Sequence, residues 1–413
     1  MLLLYNAGIR LYFLAVYLVS IFNKKAKHWI SGRKKQNLIK NGPSAWFHFA
    51  SLGEFEQGRP VLEQMRVLRP ELKTIITFFS PSGYEIRKNT PLADHVYYLP
   101  LDTAKNARQF VNTIEPVVVI FTKYEYWYHF YKELNDRHIP LYIISGIFRP
   151  GQIFFKWYGG LHRRMLSFVT HFFVQDEPSK QLLQTIGITN STISGDTRFD
   201  RVWANAKQPK ALPLISQFKG NHQLFLAGST WPPDEQLLAD LIKANPEWKF
   251  IIAPHEIGDE KISKLADILS PFSAIKYSQI INNTKLLANK PQLNTNYQCL
   301  IIDNIGMLSS LYQYGDIAYI GGGFGAGIHN TLEAAAFGLP VIFGPNYEKF
   351  KEAKDLISLG AGFTISNAGD LETIAGKLMG NEQFRTLAGQ TAGKYVAEHT
   401  GATGIIVNTI NKV

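Results

Sequence analysis

From residue 45 onward the chain alternates short apolar runs with amphipathic stretches. The runs 45–50 (AWFHFA), 74–79 (TIITFF), 95–99 (HVYYL), 117–121 (VVVIF), 140–144 (PLYII) and 171–174 (HFFV) read as strands. They are apolar at successive positions rather than at every second one, as in parallel strands buried on both faces. Segments 54–68, 104–113, 124–137 and 177–186 have helical periodicity. Residues 203–221 lack a strong period and contain two prolines, so the linker is placed at 206–221. The alternation then restarts, with strands near 223–228, 248–253, 298–303, 316–320 and 340–343 and a helical end over about 370–399. The pattern predicts an α/β chain of two Rossmann-like, doubly wound domains, residues 41–205 and 222–385, facing a cleft. Residues 386–413 are expected to form a C-terminal helix that packs back on the first domain.

The first 40 residues stand apart. Residues 2–22 are apolar except for Asn6, Arg10, Ser20 and the tyrosines. The positive charge follows the apolar run instead of preceding it, unlike a secretory signal. A helix of this length rises about 31 Å and can span a bilayer. Asn6 and Arg10, however, fall four apart on one helical face, and an arginine within the bilayer costs several kcal/mol. The expected arrangement is a helix lying in the membrane interface, with the following cations on anionic headgroups at about 1 kcal/mol each. The competing arrangement is a buried core helix followed by a solvated basic loop. Even a spanning helix would leave the body on the cytoplasmic face by the positive-inside rule.

Charge supports this division. The 413 residues carry a formal net charge of +10, yet residues 1–40 hold eight cations and no acid, so the remainder is nearly neutral. A nucleic-acid binder would spread its positive charge over the body. One cysteine, Cys299, excludes a disulfide framework and a thiolate metal cluster. The eleven histidines show no metal-ligand spacing, so neither metal nor cofactor is expected.

Three strand ends carry candidate chemistry. After the first strand comes Ala50-Ser51-Leu52-Gly53-Glu54, in which Gly53 allows a tight turn and Glu54 opens a helix. A carboxylate there can take a proton from a hydroxyl, or it can simply stabilise the helix dipole. After strand 117–121 comes Lys123-Tyr124-Glu125-Tyr126-Trp127, a cation, an anion and aromatics that suit a sugar or an acid; a solvated helix start is the plainer alternative. The strongest signal is Gly321-Gly322-Gly323-Phe324-Gly325-Ala326-Gly327-Ile328-His329-Asn330-Thr331-Leu332-Glu333. A strand, a glycine-rich loop and a helix in that order cradle a phosphate. Asn330 and Glu333 also have capping-box spacing, and Glu333 could instead hold ribose hydroxyls. Arg198, Lys349 and Lys351 are further candidates for meeting phosphate charge. The loop lies too late in its domain for a dehydrogenase fingerprint.

These motifs, together with Gly195-Asp196-Thr197-Arg198-Phe199-Asp200, occur in an order that resembles the 3-deoxy-D-manno-octulosonic acid (Kdo) transferases of lipopolysaccharide and lipid A assembly. The resemblance implies a GT-B fold. It implies CMP-Kdo as donor, the glucosamine disaccharide of the lipid A precursor (lipid IVA) as acceptor, and the cytoplasmic face of the inner membrane as location. It implies inverting, metal-independent transfer with Glu54 as general base. Donor contacts are implied at Arg198, Ser229, His255, Gly322, Gly323, Gly325, Asn330 and Glu333, and acceptor or sugar contacts at Ser51, Gly53, Lys123 and Glu125. The chain departs from the family where many members read Glu-Thr-Glu-Leu-Trp-Pro-Asn: here Lys123 replaces the first acid. Ser145-Gly146-Ile147-Phe148-Arg149 and Ala253-Pro254-His255-Glu256 also depart, each displacing or losing an arginine. Two other readings stay open: a GT-B enzyme using a UDP-sugar, and a membrane-tethered nucleotide-binding module without catalysis.

Overall fold

Each apolar run becomes a strand of one of two parallel seven-stranded sheets. The computed structural model describes residues 1–40, 42–123, 125–286 and 296–411. Tyr124, part of the second motif, lies outside them. The chain divides into one unit of Met1–Arg201 with His399–Val413 and a second of Val202–Glu398.

In the first unit the strands are β1 (Ser44–Phe49), β2 (Lys73–Phe78), β3 (His95–Tyr98), β4 (Pro116–Thr122), β5 (Leu141–Gly146), β6 (His171–Val174) and β7 (Ser191–Ile193), in the order β3-β2-β1-β4-β5-β6-β7. Strand β1 is buried along its whole length and feeds both faces. Trp46 joins Phe110, Phe121 and Phe130 on one side. Phe47 and Phe49 join Phe55 and Leu62 on the other. Burying such a side chain contributes about 2 kcal/mol, which is why the runs are continuous rather than alternating.

Helix Ala402–Ile410 completes that second face with Ile406, Val407 and Ile410. Asp200 fixes its start: its carboxylate accepts from the backbone N–H groups of Gly401 and Thr403, both at 2.6 Å, and from the Thr403 hydroxyl.

The second unit has β8 (Leu224–Thr230), β9 (Lys249–Pro254), β10 (Ala274–Lys276), β11 (Cys299–Ile301), β12 (Ile317–Ile320), β13 (Val341–Phe343) and β14 (Gly362–Thr364), in the order β10-β11-β9-β8-β12-β13-β14. Both sheets reverse their winding direction once, between β1 and β4 and between β8 and β12. At such a point the loops diverge to opposite faces and leave a crevice at the carboxyl ends of the strands.

Several details differ from the sequence pattern. Strands β7, β10 and β14 have three residues each and too little apolar sequence to register as runs. The aperiodic stretch 203–221 contains the end of helix Thr197–Lys207 and all of Pro213–Lys219. The helix expected at 124–137 begins only at Tyr128, because the Tyr131 hydroxyl donates to the Glu125 carbonyl (2.5 Å) and Asp102 accepts from the His129 and Phe130 N–H groups.

The N-terminal helix runs Leu2–Val19 and has no buried residue; a second, basic helix follows at Lys24–Lys35, capped by Asn23. One side of the first helix docks on the first unit. The Tyr5 hydroxyl donates to Asp102 (2.5 Å), Asn6 Oδ1 lies 2.7 Å from His129 Nε2, and Tyr12 and Phe13 meet Trp29. Asn6 therefore faces protein while Arg10 is exposed. The other side exposes Leu3, Leu4, Leu11, Leu14 and Leu18, with Phe22 just beyond.

Candidate active site

The reversal point of the first sheet gathers the first two motifs. Helix Leu52–Leu68 starts directly after β1, with Ser51 as its N-cap residue, so Glu54 sits in the first turn. Its Oε2 accepts the Ala50 N–H at 2.5 Å. Burial, and next the charge of Glu125, push the Glu54 carboxyl up to about 7; the Ala50 and Ser51 N–H groups and Lys123 oppose them. A carboxyl with that affinity is half-ionised near neutrality, as a general base requires. Helix-dipole stabilisation alone would have lowered it.

Gly53 does not serve the turn. Its nearest obstacle to a Cβ is Ser51 Oγ at 3.9 Å, and its φ is not positive. The helix begins through an extended Ser51, which any residue can adopt.

Lys123 follows β4 with φ 62°, in the left-handed region. Its charge favours the ionised forms of both Glu54 and Asp196. Glu125 lies two residues further on, and its Oε2 accepts from Trp127 Nε1 (2.8 Å) and faces His48 Nε2 at 3.4 Å. His48 is fully buried on β1, and its Nδ1 lies 2.8 Å from the Thr77 hydroxyl. A histidine within an apolar strand was the only sequence signal for this contact, and it passes easily for a core residue.

Arg198, a candidate donor contact, belongs to this first unit. Its Nε donates to Asp196 (2.8 Å), whose other oxygen accepts from Gln57 (2.6 Å). Burial raises the Asp196 carboxyl, but Arg198 and Lys123 outweigh it and hold it below its usual range.

The reversal point of the second sheet gathers most of the other candidates. Ser229, at the end of β8, has φ 55°, a strained conformation for a non-glycine residue. After β12 the glycine loop presses on this corner. A Cβ at Gly321 would strike the Ser229 carbonyl, Gly322 has φ 92°, and a Cβ at Gly323 would lie 2.6 Å from Gly344 Cα. Gly325 has no such constraint. Loop packing thus demands most of these glycines.

The loop's amides are partly spent on itself. Gly322 N–H donates to buried Asp234 (3.0 Å), which also accepts from the Tyr319 hydroxyl (2.7 Å) and Trp231 N–H (2.9 Å). Gly325 and Gly327 donate to the Gly322 carbonyl. The N–H groups of Gly323, Phe324 and Ala326 meet no acceptor among the described residues. The helix after the loop is one turn, Leu332–Ala335, so its dipole is small. No capping box forms: Asn330 Oδ1 accepts from Leu332 N–H, and its Nδ2 donates to Glu333 (3.2 Å).

Beside the loop stand three stacked rings. Trp231 lies over His255 (4.9 Å, 23°) and His255 over His329 (4.2 Å, 22°), while Trp231 Nε1 donates to His329 Nε2 at 3.1 Å. Burial, and then His255, push His329 down to about 4, and burial with Lys261 lowers His255. Both rings are therefore neutral near pH 7. Trp231 and Asp234 were not legible as site residues, because nothing in their spacing ties them to a loop some 90 residues later. Lys349 and Lys351 flank Phe350, which packs against Gly327 of the loop; Lys351 pairs with Asp355 at 2.6 Å.

Residues 23–201 match the sequence model of the 3-deoxy-D-manno-octulosonic-acid transferase (kdotransferase) family. The chain is 28% identical over 356 residues to a 3-deoxy-D-manno-octulosonic acid transferase of Chlamydophila psittaci, covering 83% of this chain and 79% of the relative. It is 27% identical to the transferase of that name from Haemophilus influenzae, covering 86% and 84%. The UDP-GlcNAc 2-epimerase of Neisseria meningitidis superposes with a TM-score of 0.61 at 15% identity, over 90% of this chain and all of that one. Acinetobacter baumannii MurG superposes with 0.54 at 11%, over the same shares. These likenesses of structure establish the fold, two parallel-sheet α/β units of the GT-B type. By sequence the chain is similar to the Kdo transferases, over residues 23–201 in the family model and over most of its length in these two relatives.

Proposed function

We propose that the protein transfers Kdo from CMP-Kdo to a glucosamine hydroxyl of the lipid A precursor, with Glu54 as general base. The single observation that carries the catalytic assignment is the Glu54 carboxyl at the reversal point of the first sheet, raised to about 7 by burial and by Glu125. In the proposed step Glu54 takes the hydroxyl proton as the oxygen attacks the anomeric carbon of Kdo. The bond to the CMP phosphate oxygen breaks, its electron pair leaves with CMP, and one displacement inverts the centre. A positioned base contributes about 10²–10⁴-fold to the rate.

The second unit would hold the donor. Its free amides at Gly323, Phe324 and Ala326 suit a phosphate, and the neutral Trp231–His255–His329 stack offers a flat face to a base or a sugar. Ser229, Asn330 and Glu333 border the same strand ends. Lys123 would place a cation beside Glu54, where it can meet an anionic sugar or acceptor phosphate. The exposed leucines of helix Leu2–Val19 and the cations of helix Lys24–Lys35 would lie on an anionic bilayer, the cytoplasmic face of the inner membrane.

Incubation with CMP-Kdo and purified lipid A precursor, with products weighed by mass spectrometry, tests the reading. A mass increase of one or more Kdo residues is expected and should persist in EDTA. No product with CMP-Kdo but turnover with a UDP-sugar would overturn the donor. Strict dependence on an added divalent cation would overturn the metal-free mechanism.

A further inference from the structure

A chain of side chains runs from the interior of the first sheet to Glu125, and no motif used above includes its inner members. Trp46 Nε1 on β1 donates to Thr77 Oγ1 on β2 at 2.7 Å. The Thr77 hydroxyl has one proton and two acceptors in reach: His48 Nδ1 at 2.8 Å and the Phe47 carbonyl at 3.4 Å. The Glu125 carboxylate can only accept, so the contact with it calls for the imidazole proton on Nε2, which leaves Nδ1 to accept from the Thr77 hydroxyl. Nε2 faces Glu125 Oε2 at 3.4 Å, and the same oxygen accepts from Trp127 Nε1.

We propose that His48 is a positioning residue: it donates Nε2–H to Glu125 and so, together with Trp127, fixes the place of the Glu125 carboxylate whose charge acts on Glu54. The inference rests on the assignment of Glu54 as base. His48 is out of contact with solvent, its ring tilted against Phe121 (4.5 Å, 43°), and burial keeps it neutral against the pull of Glu125. The charged groups acting on this chain are Glu125 and Lys123 after β4, Arg33 from helix Lys24–Lys35, and Glu54 itself. A neutral donor suits the task. It orients the Glu125 carboxylate without adding a positive charge, which would cancel the field that raises Glu54. The anion then keeps Glu54 basic enough to accept a proton near neutrality.

The test is the pH dependence of kcat/KM in CMP-Kdo transfer for the wild type, His48→Gln, His48→Leu, Glu125→Gln and the double variant His48→Leu/Glu125→Gln. The wild type should show an acidic limb near pH 7. His48→Gln can still present an N–H and should leave that limb in place. His48→Leu cannot; its limb should fall by at least half a pH unit, with kcat down about tenfold and KM for CMP-Kdo unchanged. Glu125→Gln should move the limb the same way, and the double variant no further. If His48→Leu does not fold, Thr77→Val, which removes the hydroxyl that Nδ1 accepts from, should shift the limb in the same direction by a smaller amount. A folded His48→Leu or Thr77→Val variant with an unmoved limb, or a double variant whose shift is the sum of the two, overturns the role of His48. Near-normal turnover by Glu54→Gln would instead overturn the base on which it rests.

Discussion

Replacing Glu54 by Gln should make the protein more stable at pH 8 while abolishing transfer. A carboxyl with a folded pKa of about 7, against an ordinary 4.5, costs the fold about 3 kcal/mol once ionised, at about 1.4 kcal/mol per pH unit. Its folded pKa is raised, so the folded state holds the proton more tightly. Below pH 4.5 both states are protonated and the residue costs nothing. Between 4.5 and 7 the stability falls as the pH rises, and above 7 the full penalty applies. Glutamine removes the charge and, like the protonated acid, keeps an oxygen for the Ala50 N–H, whose preference for the anion is already included in the raised pKa. The net gain at pH 8 is then about 3 kcal/mol, vanishing near pH 4.5. Urea unfolding at pH 4.5, 6 and 8, followed by tryptophan fluorescence and circular dichroism, reads the difference directly. Equal stabilities at pH 8, or a gap that does not grow between pH 4.5 and 7, would show that Glu54 carries no raised pKa. The combined outcome, a more stable protein with transfer reduced about 10²–10⁴-fold, is what strain held at an active site produces.

Three further outcomes follow from other contacts. Gly323→Ala places a Cβ 2.6 Å from Gly344 Cα and should cost about 1–3 kcal/mol and at least tenfold in CMP affinity by calorimetry; unchanged affinity would remove the loop from the donor site. Asp200→Ala removes the acceptor for three donors of the C-terminal helix and should destabilise the first unit by about 3 kcal/mol, read as faster proteolysis after residue 399. Deleting residues 1–22 should weaken binding to anionic vesicles at least tenfold in flotation assays and leave CMP affinity within twofold; equal loss of both would mean that the helix serves the fold rather than the membrane.

The apolar runs determined both sheets, because a parallel strand buried on two faces has to be apolar throughout. The glycine loop and the position of Glu54 were likewise readable, since each follows such a run directly. The three-residue strands β7, β10 and β14 were not, as an edge strand is specified by its neighbour's backbone more than by its own side chains. The sequence supplied Glu54 and Glu125 but not their coupling. Residues 71 apart act on one another only because the strand order puts β1 beside β4. The same holds for Asp234 beneath the glycine loop, and for Thr77 and His48, which meet across β1 and β2. Local sequence sets which side chains are present and how each segment folds. Tertiary structure sets the distances between them, and with those the burial and fields that raise the proton affinity of an ordinary carboxyl.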